Sequence, residues 1–193
     1  MIKDSEFIKS NDVPGPTKEE IRCLIRCKSE VSHDSFVVDI GCGTGGITTE
    51  MAKIAKKVIA IDKNSKAIEI TSQNINKFNL SEKVELIKDD ALSALNSNQE
   101  IKDKRIDIAI IGGSNNDLDI LIETIISLLK SNGKIVVTAI LNETKVEAIK
   151  KFKELGFDVE IVEVNVSKGK IIDRGTMMMA QNPIAIITAT KNS

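Results

Sequence analysis

A glycine-rich turn near position 40 contains the residues with the clearest chemical meaning. An apolar run leads into Asp39, Gly41, Gly43 and Gly45, and a stretch with helical spacing follows. Glycines at a strand-to-helix turn let the backbone bend sharply and let a ligand approach where a Cβ atom would collide with it. Segment 37–46 (VVDIGCGTGG) fits the patterns Gly-x-Gly-x-x-Gly and Asp-x-Gly-x-Gly-x-Gly equally well. The turn therefore predicts a nucleotide-like ligand, which other residues must identify.

Aspartates near the ends of the first three apolar runs favour S-adenosylmethionine over NAD. Asp62 ends the second run, 21 residues after Gly41, where its carboxylate can accept hydrogen bonds from the ribose of either molecule. Asp39 places a negative charge where the pyrophosphate of NAD would lie, whereas it can orient the cationic amino-acid end of S-adenosylmethionine. Asp89 and Asp90 follow the third run and are placed to border the adenine. The alternative is that Asp39 and Asp62 only cap helices.

No side chain is assigned a catalytic or metal-binding role. Cys23 and Cys27 lie four residues apart on one predicted helix and Cys42 lies in the glycine turn, so the three predict neither a disulfide framework nor a zinc site. We interpret them as small buried hydrophobic residues. His33 is the single histidine and lies in a predicted loop. The sequence contains no convincing Ser-His-Asp or paired-carboxylate arrangement.

An alternation of apolar runs and helix-period stretches must position these residues. Nearly continuous Val and Ile runs are typical of parallel strands covered on both faces. The pattern predicts an α/β, Rossmann-like, doubly wound, mostly parallel seven-stranded sheet with an antiparallel C-terminal strand. The predicted strands are 36–40, 58–61, 84–87, 106–111 and 135–141, and the predicted helices are 44–55, 65–78, 117–130 and 143–155.

Both ends of the chain differ from this repeat. Thr17 begins a Thr-Lys-Glu-Glu capping box, which predicts a helix to about residue 28. Gly133 and Gly156 lie where helices are expected to end. Segments 157–166 and 183–190 predict two antiparallel strands. The apolar positions of 157–166 change phase, which indicates either a bulge or a strand covered on both faces.

Charge and composition exclude some partners. The chain has 193 residues, with 27 basic and 28 acidic side chains, no Trp or Tyr, and five Phe. A net charge of −1 and few stacking aromatics disfavour nucleic acid as a partner. Apolar runs are far shorter than a membrane-spanning helix, and the first residues lack the pattern of a signal peptide. We expect a cytoplasmic protein that binds no membrane.

Several segments resemble a known family. The glycine turn with Asp39, Asp62 and Ala91 is similar to class I S-adenosylmethionine-dependent methyltransferases. Flanking segments resemble the CbiT family, which comprises the decarboxylating cobalt-precorrin-6B C-15 methyltransferases of anaerobic cobalamin synthesis. The segments are 13–17 (VPGPT), 21–25 (IRCLI), 40–46 (IGCGTGG), 138–141 (TAIL) and 173–178 (DRGTMM).

The resemblance implies a cofactor site in one methyltransferase domain spanning 1–193. Segment 1–30 is expected to cover the cofactor, and 157–190 to form the antiparallel strands. Thr17 can border the cofactor as well as cap its helix, and Cys42 and Thr44 are expected to contribute main-chain groups. The implied contacts with S-adenosylmethionine are Thr17, Gly41, Cys42, Gly43, Thr44, Gly45, Asp62 and Ala91.

The implied reaction methylates carbon 15 of a tetrapyrrole, cobalt-precorrin-6B, and releases the ring C acetate as carbon dioxide, giving cobalt-precorrin-7. Because the conjugated ring can accept the electrons, no covalent protein intermediate is needed. The carboxylates of the substrate should be held by Arg or Lys, and Arg174 is the first candidate. Gly113 and Ser114, after the fourth strand, are further candidates. The alternative for Arg174 is a surface ion pair with Asp173 in a turn, and the alternative for Gly113 and Ser114 is a loop without a binding role.

Other features have two interpretations. Arg22 and Arg26 lie one turn apart, either on a solvated helix face or as ligands for carboxylates. Met177–Met179 either pack in a core or interface, or form an apolar wall for the macrocycle. The resemblance implies a homo-oligomer, typically a tetramer. The antiparallel strands predicted at 157–166 and 183–190 can contribute to the interface between its copies. A separate enzyme is expected to methylate carbon 5.

Three other functions remain open at the level of sequence. One is methylation of another small molecule or of tRNA, for which a strongly basic face is expected. The second is an NAD-dependent oxidoreductase, which Asp39 disfavours. The third is a non-catalytic nucleotide-binding protein, which would bind the cofactor without turnover.

Overall fold

A seven-stranded sheet organises the chain, and the computed structural model describes residues 1–112 and 117–191. The strands are β1 Phe36–Ile40, β2 Lys57–Asp62, β3 Val84–Lys88, β4 Ile106–Gly112, β5 Leu129–Ala139, β6 Asp158–Val164, β7 Ser167–Ile172, β8 Gly175–Ala180 and β9 Ile184–Thr190. The helices are α1 Glu19–Ser29, α2 Gly46–Ala52, α3 Ser65–Lys77, α4 Ala91–Ser97, α5 Gln99–Lys104, α6 Leu118–Leu128 and α7 Asn142–Glu154, preceded by a 3-10 turn at Asp4–Glu6.

The strand order is β3-β2-β1-β4-β5-β9-β6. The first five strands of this order are parallel, and β9 runs antiparallel between β5 and β6. The predicted mostly parallel sheet with an antiparallel C-terminal strand is therefore confirmed. The chain proceeds outward from β1 to β2 and β3, and returns to pair β4 on the other side of β1. Such a reversal opens a crevice at the carboxyl ends of the central strands, where open α/β sheets bind ligands.

Both faces of the sheet are covered by helices. Ile101, Ile122 and Phe152 belong to a buried apolar cluster on one face, and Ile25 and Met51 belong to a second cluster on the other. Every residue of β1 is buried. A strand between two layers has no solvent-exposed side, which explains the near-absence of polar residues in the apolar runs.

Helix α1 starts later than predicted. Its first residue is Glu19, and Lys18 occupies the N-cap position without a side-chain hydrogen bond. The capping box predicted at Thr17 is therefore wrong. The carbonyl oxygen of Thr17 instead accepts a hydrogen bond from the guanidinium of Arg22. A buried guanidinium needs several acceptors, and this requirement determines the local backbone in place of the cap.

Two short helices were missed by the periodicity analysis. The Asp90 carboxylate accepts from Leu92 N at 3.0 Å and caps α4. The Asn98 side chain accepts from Ile101 N at 2.9 Å and caps α5. Helices of six or seven residues span less than two full turns, so their apolar spacing is too short to stand out.

Strand β5 begins six residues before its predicted start. Its register opposite β4 shifts between the pairs Ile106–Leu129 and Ile108–Lys134. Gly133 lies inside this irregular stretch, where a Cβ atom would be 2.6 Å from Leu129 Cγ. The prediction that Gly133 ends a helix is wrong, because the backbone there folds against Leu129. Gly156, with φ of +74°, does follow α7 as predicted.

The tail contains one more element than the sequence indicated. Strands β6 and β9 pair antiparallel as expected, and a β7–β8 hairpin between them forms its own two-stranded sheet. The β6 register has no shift. Val159 and Val164 pack against opposite core clusters, so the apolar phase change reflects a strand covered on both faces rather than a bulge.

Among residues 1–112 and 117–191, no helix is both long enough and apolar enough to cross a bilayer.

Candidate functional site

The glycine turn after β1 is packed tightly between two backbone segments. Gly41 has φ of +76°, and a Cβ atom there would lie 2.2 Å from the carbonyl oxygen of Gly112 at the end of β4. Gly43 has φ of +58°, and its Cβ atom would lie 2.9 Å from the carbonyl oxygen of Pro14. Both positions therefore require glycine for conformation and for space. The turn lies at the crevice created by the strand order.

Asp62 connects the end of β2 to this turn. Its carboxylate accepts hydrogen bonds from Gly43 N and Asn64 N, both at 2.9 Å. These contacts fix the orientation of the half-buried side chain and leave further lone pairs for a ligand. The helix-cap interpretation of Asp62 does not describe these contacts, because α3 is capped by the side chain of Asn64.

Asp39 is the most desolvated carboxylate of the site. It is 1 % exposed, and one oxygen accepts from Thr48 Oγ1 at 2.5 Å. The other oxygen is buried and has no hydrogen-bond partner. Burial raises the pKa of Asp39 from 3.8 to about 6, the Thr48 hydrogen bond opposes this, and the nearby Asp62 charge adds to it. A buried carboxylate with a free oxygen is suited to a cationic or hydrogen-bond-donating ligand group.

Two further side chains of the turn are buried. Thr44 Oγ1 has no hydrogen-bond partner. Burial raises the pKa of the Cys42 thiol, which lies 3.8 Å from Thr71 Oγ1. The thiol therefore stays protonated at neutral pH, as expected for a residue that is not a nucleophile. Cys23 and Cys27 are exposed, so the expectation that all three cysteines are buried is wrong.

Asn74 of α3 joins the glycine turn to the amino-terminal segment. Its buried amide nitrogen donates to the carbonyl oxygens of Thr44 at 2.9 Å and Ile8 at 3.0 Å, and its oxygen accepts from Ile8 N at 2.8 Å. Sequence analysis missed this role. The available signal was the spacing from Ala67 and Ile70, which places a polar side chain on the buried face of the helix.

Arg22 fixes the same amino-terminal segment from α1. It is 1 % exposed and contacts Asp4 Oδ1 at 2.7 Å and the carbonyl oxygens of Ile2 and Thr17. Glu50, also buried, accepts from Ile2 N at 2.6 Å and lies 3.9 Å from Arg22 Nε. Arg22 therefore neither lies on a solvated helix face nor is available to bind the carboxylates of a substrate. It secures the segment that carries Thr17.

Two adjoining cavities open at these residues. The main cavity, of about 870 Å³, lies between the amino-terminal turn, the glycine turn and the segments 138–141 and 181–184. The side cavity, of about 170 Å³, lies beyond Asp62 and is bordered by Asp89, Asp90 and Leu118. The two share Gly41, Asp62, Lys63 and Gly112. The volume of the main cavity alone is in the range of small-molecule sites.

Most of the predicted cofactor residues line these cavities. They are Thr17, Gly41, Cys42, Gly43, Thr44 and Asp62 in the main cavity, with Ala91 in the side cavity. Gly45 faces Thr71 rather than either cavity. The cavities are lined in addition by Lys18, Lys63, Ile140 and Leu141, which sequence analysis did not assign to the site.

The comparisons with known proteins address the family directly. Residues 12–191 match the family model described as a precorrin methyltransferase domain. The chain belongs to this family. A protein of Methanobrevibacter smithii named probable cobalt-precorrin-6B C(15)-methyltransferase (decarboxylating) is 52 % identical over 191 residues, which are 99 % of this chain and 100 % of that protein. A protein of the same name from Methanothermobacter thermautotrophicus is 48 % identical and covers 97 % of this chain and 95 % of its own length.

Solved structures agree with this assignment. The precorrin 8W decarboxylase of Methanobacterium thermoautotrophicum aligns with a TM-score of 0.92 at 46 % identity, covering 98 % of this chain and 99 % of the other. A precorrin-6Y C5,15-methyltransferase of Geobacter metallireducens aligns with a TM-score of 0.88 at 29 % identity, covering 99 % and 98 %. The precorrin methyltransferase family thus accounts for both the sheet topology and the sequence.

Of the three residues predicted to bind substrate, the structure describes Arg174. Arg174 lies in the two-residue turn of the β7–β8 hairpin and does not line either cavity. Gly113 and Ser114 lie outside the described residues. Among residues 1–112 and 117–191, no group of His, Cys, Asp and Glu is suited to hold a metal ion.

The raised pKa of Asp39 predicts a pH dependence of stability. Between about pH 4 and 6 the folded protein holds a proton on Asp39 that the unfolded chain has lost, so the free energy of unfolding falls as pH rises through this window. We expect Asp39→Asn to reduce this fall and to stabilise the ligand-free protein at pH 7 by up to about 3 kcal/mol. Urea unfolding at pH 4, 5, 6 and 7 measures both effects.

The exposed Asp34 provides the control, since Asp34→Asn removes a carboxylate without removing a buried charge. Parallel pH profiles for the wild-type protein and Asp39→Asn would contradict the prediction.

Proposed function

We propose that this protein transfers a methyl group from S-adenosylmethionine to carbon 15 of cobalt-precorrin-6B and releases the ring C acetate as carbon dioxide, giving cobalt-precorrin-7 in anaerobic cobalamin synthesis. The observation that carries the proposal is the match, over nearly the full length of both chains, to relatives named for this decarboxylating C-15 methylation. The cavities at the carboxyl ends of the central strands supply a site for the reaction.

The donor set fits S-adenosylmethionine. We infer that Asp62 accepts hydrogen bonds from the ribose and that the adenine enters the side cavity at Ala91. The free oxygen of Asp39 and the unpartnered hydroxyl of Thr44 support binding of the charged amino-acid end beside them. When bound, the cofactor supplies a methyl group on a positively charged sulfur. Thr17, Gly41, Cys42 and Gly43 line the main cavity, and Gly45 belongs to the same turn and packs against Thr71.

The protein's own contribution is alignment and the exclusion of water. Asn74 joins Thr44 of the glycine turn to Ile8, and Arg22 holds the carbonyl oxygen of Thr17, so that the main cavity has a fixed wall beside Thr17. A fixed wall preserves the close approach that methyl transfer requires. No protein nucleophile is needed: the macrocycle supplies the electron pair that bonds to the methyl group, and it accepts the pair left when the carbon–carboxylate bond breaks.

We also propose that residues 1–193 act as one methyltransferase domain, in the cytoplasm and without a nucleic-acid or membrane partner. A separate enzyme then methylates carbon 5. Arg174 stays a prediction as a substrate ligand, because its hairpin position lies outside the described cavities. Gly113 and Ser114 also stay predictions.

The β7–β8 hairpin supports self-association of this protein, for which the family resemblance implies four copies. Ile171 is 86 % exposed and Met178 is 62 % exposed, and the register places both on one face of the β7–β8 hairpin. An isolated two-stranded hairpin gains little stability by itself, and exposed apolar side chains of this size favour burial against another copy. Met177 and Met179 lie on the opposite face, also partly exposed.

The first experiment is anaerobic incubation of the purified protein with S-adenosylmethionine and cobalt-precorrin-6B, followed by mass spectrometry of the tetrapyrrole. We expect the gain of one methyl group together with the loss of one carbon dioxide. An unchanged tetrapyrrole, in a preparation that binds the cofactor, would refute the proposed substrate.

The ribose assignment is tested with Asp62→Asn. This change keeps an oxygen that can accept from Gly43 N but removes the charge, so we expect cofactor binding to weaken by about 1–3 kcal/mol. Isothermal titration calorimetry measures the dissociation constant. Asp103→Asn, on the exposed end of α5, is the matched control. Equal affinities of all three proteins would remove Asp62 from the site.

The hairpin contact is tested by size-exclusion chromatography with light scattering, which measures the molar mass of the assembly. Met178→Glu places a charge on the proposed contact and should reduce the molar mass below that of the wild-type assembly. Lys153→Glu on the exposed side of α7 is the control and should leave the mass unchanged. A wild-type monomer, or an unaltered Met178→Glu assembly, would refute the contact.

A further inference from the structure

The main cavity has opposite charges at its floor and at its rim. Asp39 is buried at the floor and Asp62 is half-buried beside it. Lys18 and Lys63 are exposed and line the same cavity. Among the described residues that line the two cavities, these lysines are the only cations. One opening therefore presents carboxylates inside and ammonium groups at its edge.

Neither lysine is neutralised by a partner in the described part of the chain. No hydrogen bond or ion pair of Lys18 Nζ or Lys63 Nζ occurs within residues 1–112 and 117–191. Neighbouring surface lysines differ in this respect: Lys66 pairs with Asp12 at 2.7 Å, and Lys168 pairs with Glu20 at 2.9 Å. The two rim lysines thus have their charges available for a ligand.

An apolar edge completes the rim. Ile140 and Leu141, in the connection from β5 to α7, are 63 % and 59 % exposed and line the main cavity. Large aliphatic side chains left in solvent beside a binding cavity offer contact area to a flat, apolar ligand face. Cationic and apolar groups together match a ligand that has a hydrophobic ring system with carboxylates at its periphery.

We propose that Lys18 and Lys63 bind peripheral carboxylates of the tetrapyrrole substrate, while Ile140 and Leu141 contact its ring face. This inference rests on the proposed function and names the residues that select the substrate. Like charges repel, so Asp39 and Asp62 disfavour entry of a ligand with several carboxylates to the floor, which is suited to S-adenosylmethionine with its net positive charge. Two lysines that precede α1 and follow β2 offer two points of attachment, which restrict rotation of the macrocycle more than one cation would.

The test uses Lys18→Gln, Lys63→Gln and the double variant, each with its Lys→Arg counterpart. We expect each Lys→Gln change to raise the KM for cobalt-precorrin-6B about fivefold, the double change to raise it more, and Lys→Arg to restore it. The dissociation constant of S-adenosylmethionine should stay the same in the Lys18 variants and should change less than the KM for the tetrapyrrole in the Lys63 variants, because Lys63 also lines the side cavity. Lys53→Gln, an exposed lysine that does not line a cavity, is the matched control.

A second readout does not depend on turnover. Binding of a stable porphyrin octacarboxylate, followed by its absorbance, should weaken in the same variants and with added salt, whereas its methyl ester should bind equally to all of them. Weakening in the Lys→Gln variants without wild-type turnover would support the lysine site and refute the proposed reaction. Turnover with an unchanged KM, or an equal loss of cofactor and tetrapyrrole affinity, would refute the lysine site.

Discussion

The contact between the backbone of Gly41 and the carbonyl oxygen of Gly112 determines the form of the cavities. It brings the ends of β1 and β4 so close that no side chain fits between them. Because these strands flank the point where the strand order reverses, the contact leaves the crevice lined by main-chain atoms and by side chains from the strand ends. Asp39 lies in β1, two residues before this contact, and its side chain is held by a hydrogen bond from Thr48 of α2.

The desolvated Asp39 shows how the site departs from what stability alone would favour. A carboxylate with one unpartnered oxygen inside the core lowers the stability of the ligand-free protein, as its raised pKa indicates. Under the proposed function, the same oxygen would gain a partner from the charged amino-acid end of the cofactor. Binding then recovers free energy that folding did not, which is a general property of preorganised sites. Thr44, with its buried free hydroxyl, belongs to the same pattern.

Features that depend on residues close together in the chain could be predicted from the sequence, whereas contacts between distant segments could not. The glycine turn and Asp62 depend on strand boundaries a few residues away, and β1 occupies its predicted range 36–40. Asn74 contacts a residue 66 positions away, and no spacing rule connects α3 to Ile8. Thr17 was expected to cap α1, but the demand of the buried Arg22 for acceptors is a property of the tertiary structure. The rim lysines likewise come together only after folding, since Lys18 precedes α1 and Lys63 follows β2.

The overall charge of the protein and the charge of its site answer different questions. A net charge of −1 argues against partners that interact with a broad surface, and nucleic acid was disfavoured on that ground. A ligand within a cavity interacts with the few charges at its walls, because charges farther away are screened over about a Debye length. Lys18 and Lys63 can therefore hold an anionic substrate on a protein that is slightly acidic as a whole. In the proposed arrangement, the carboxylates of Asp39 and Asp62 disfavour a further anion at the floor, so the substrate would lie at the rim beside the cofactor.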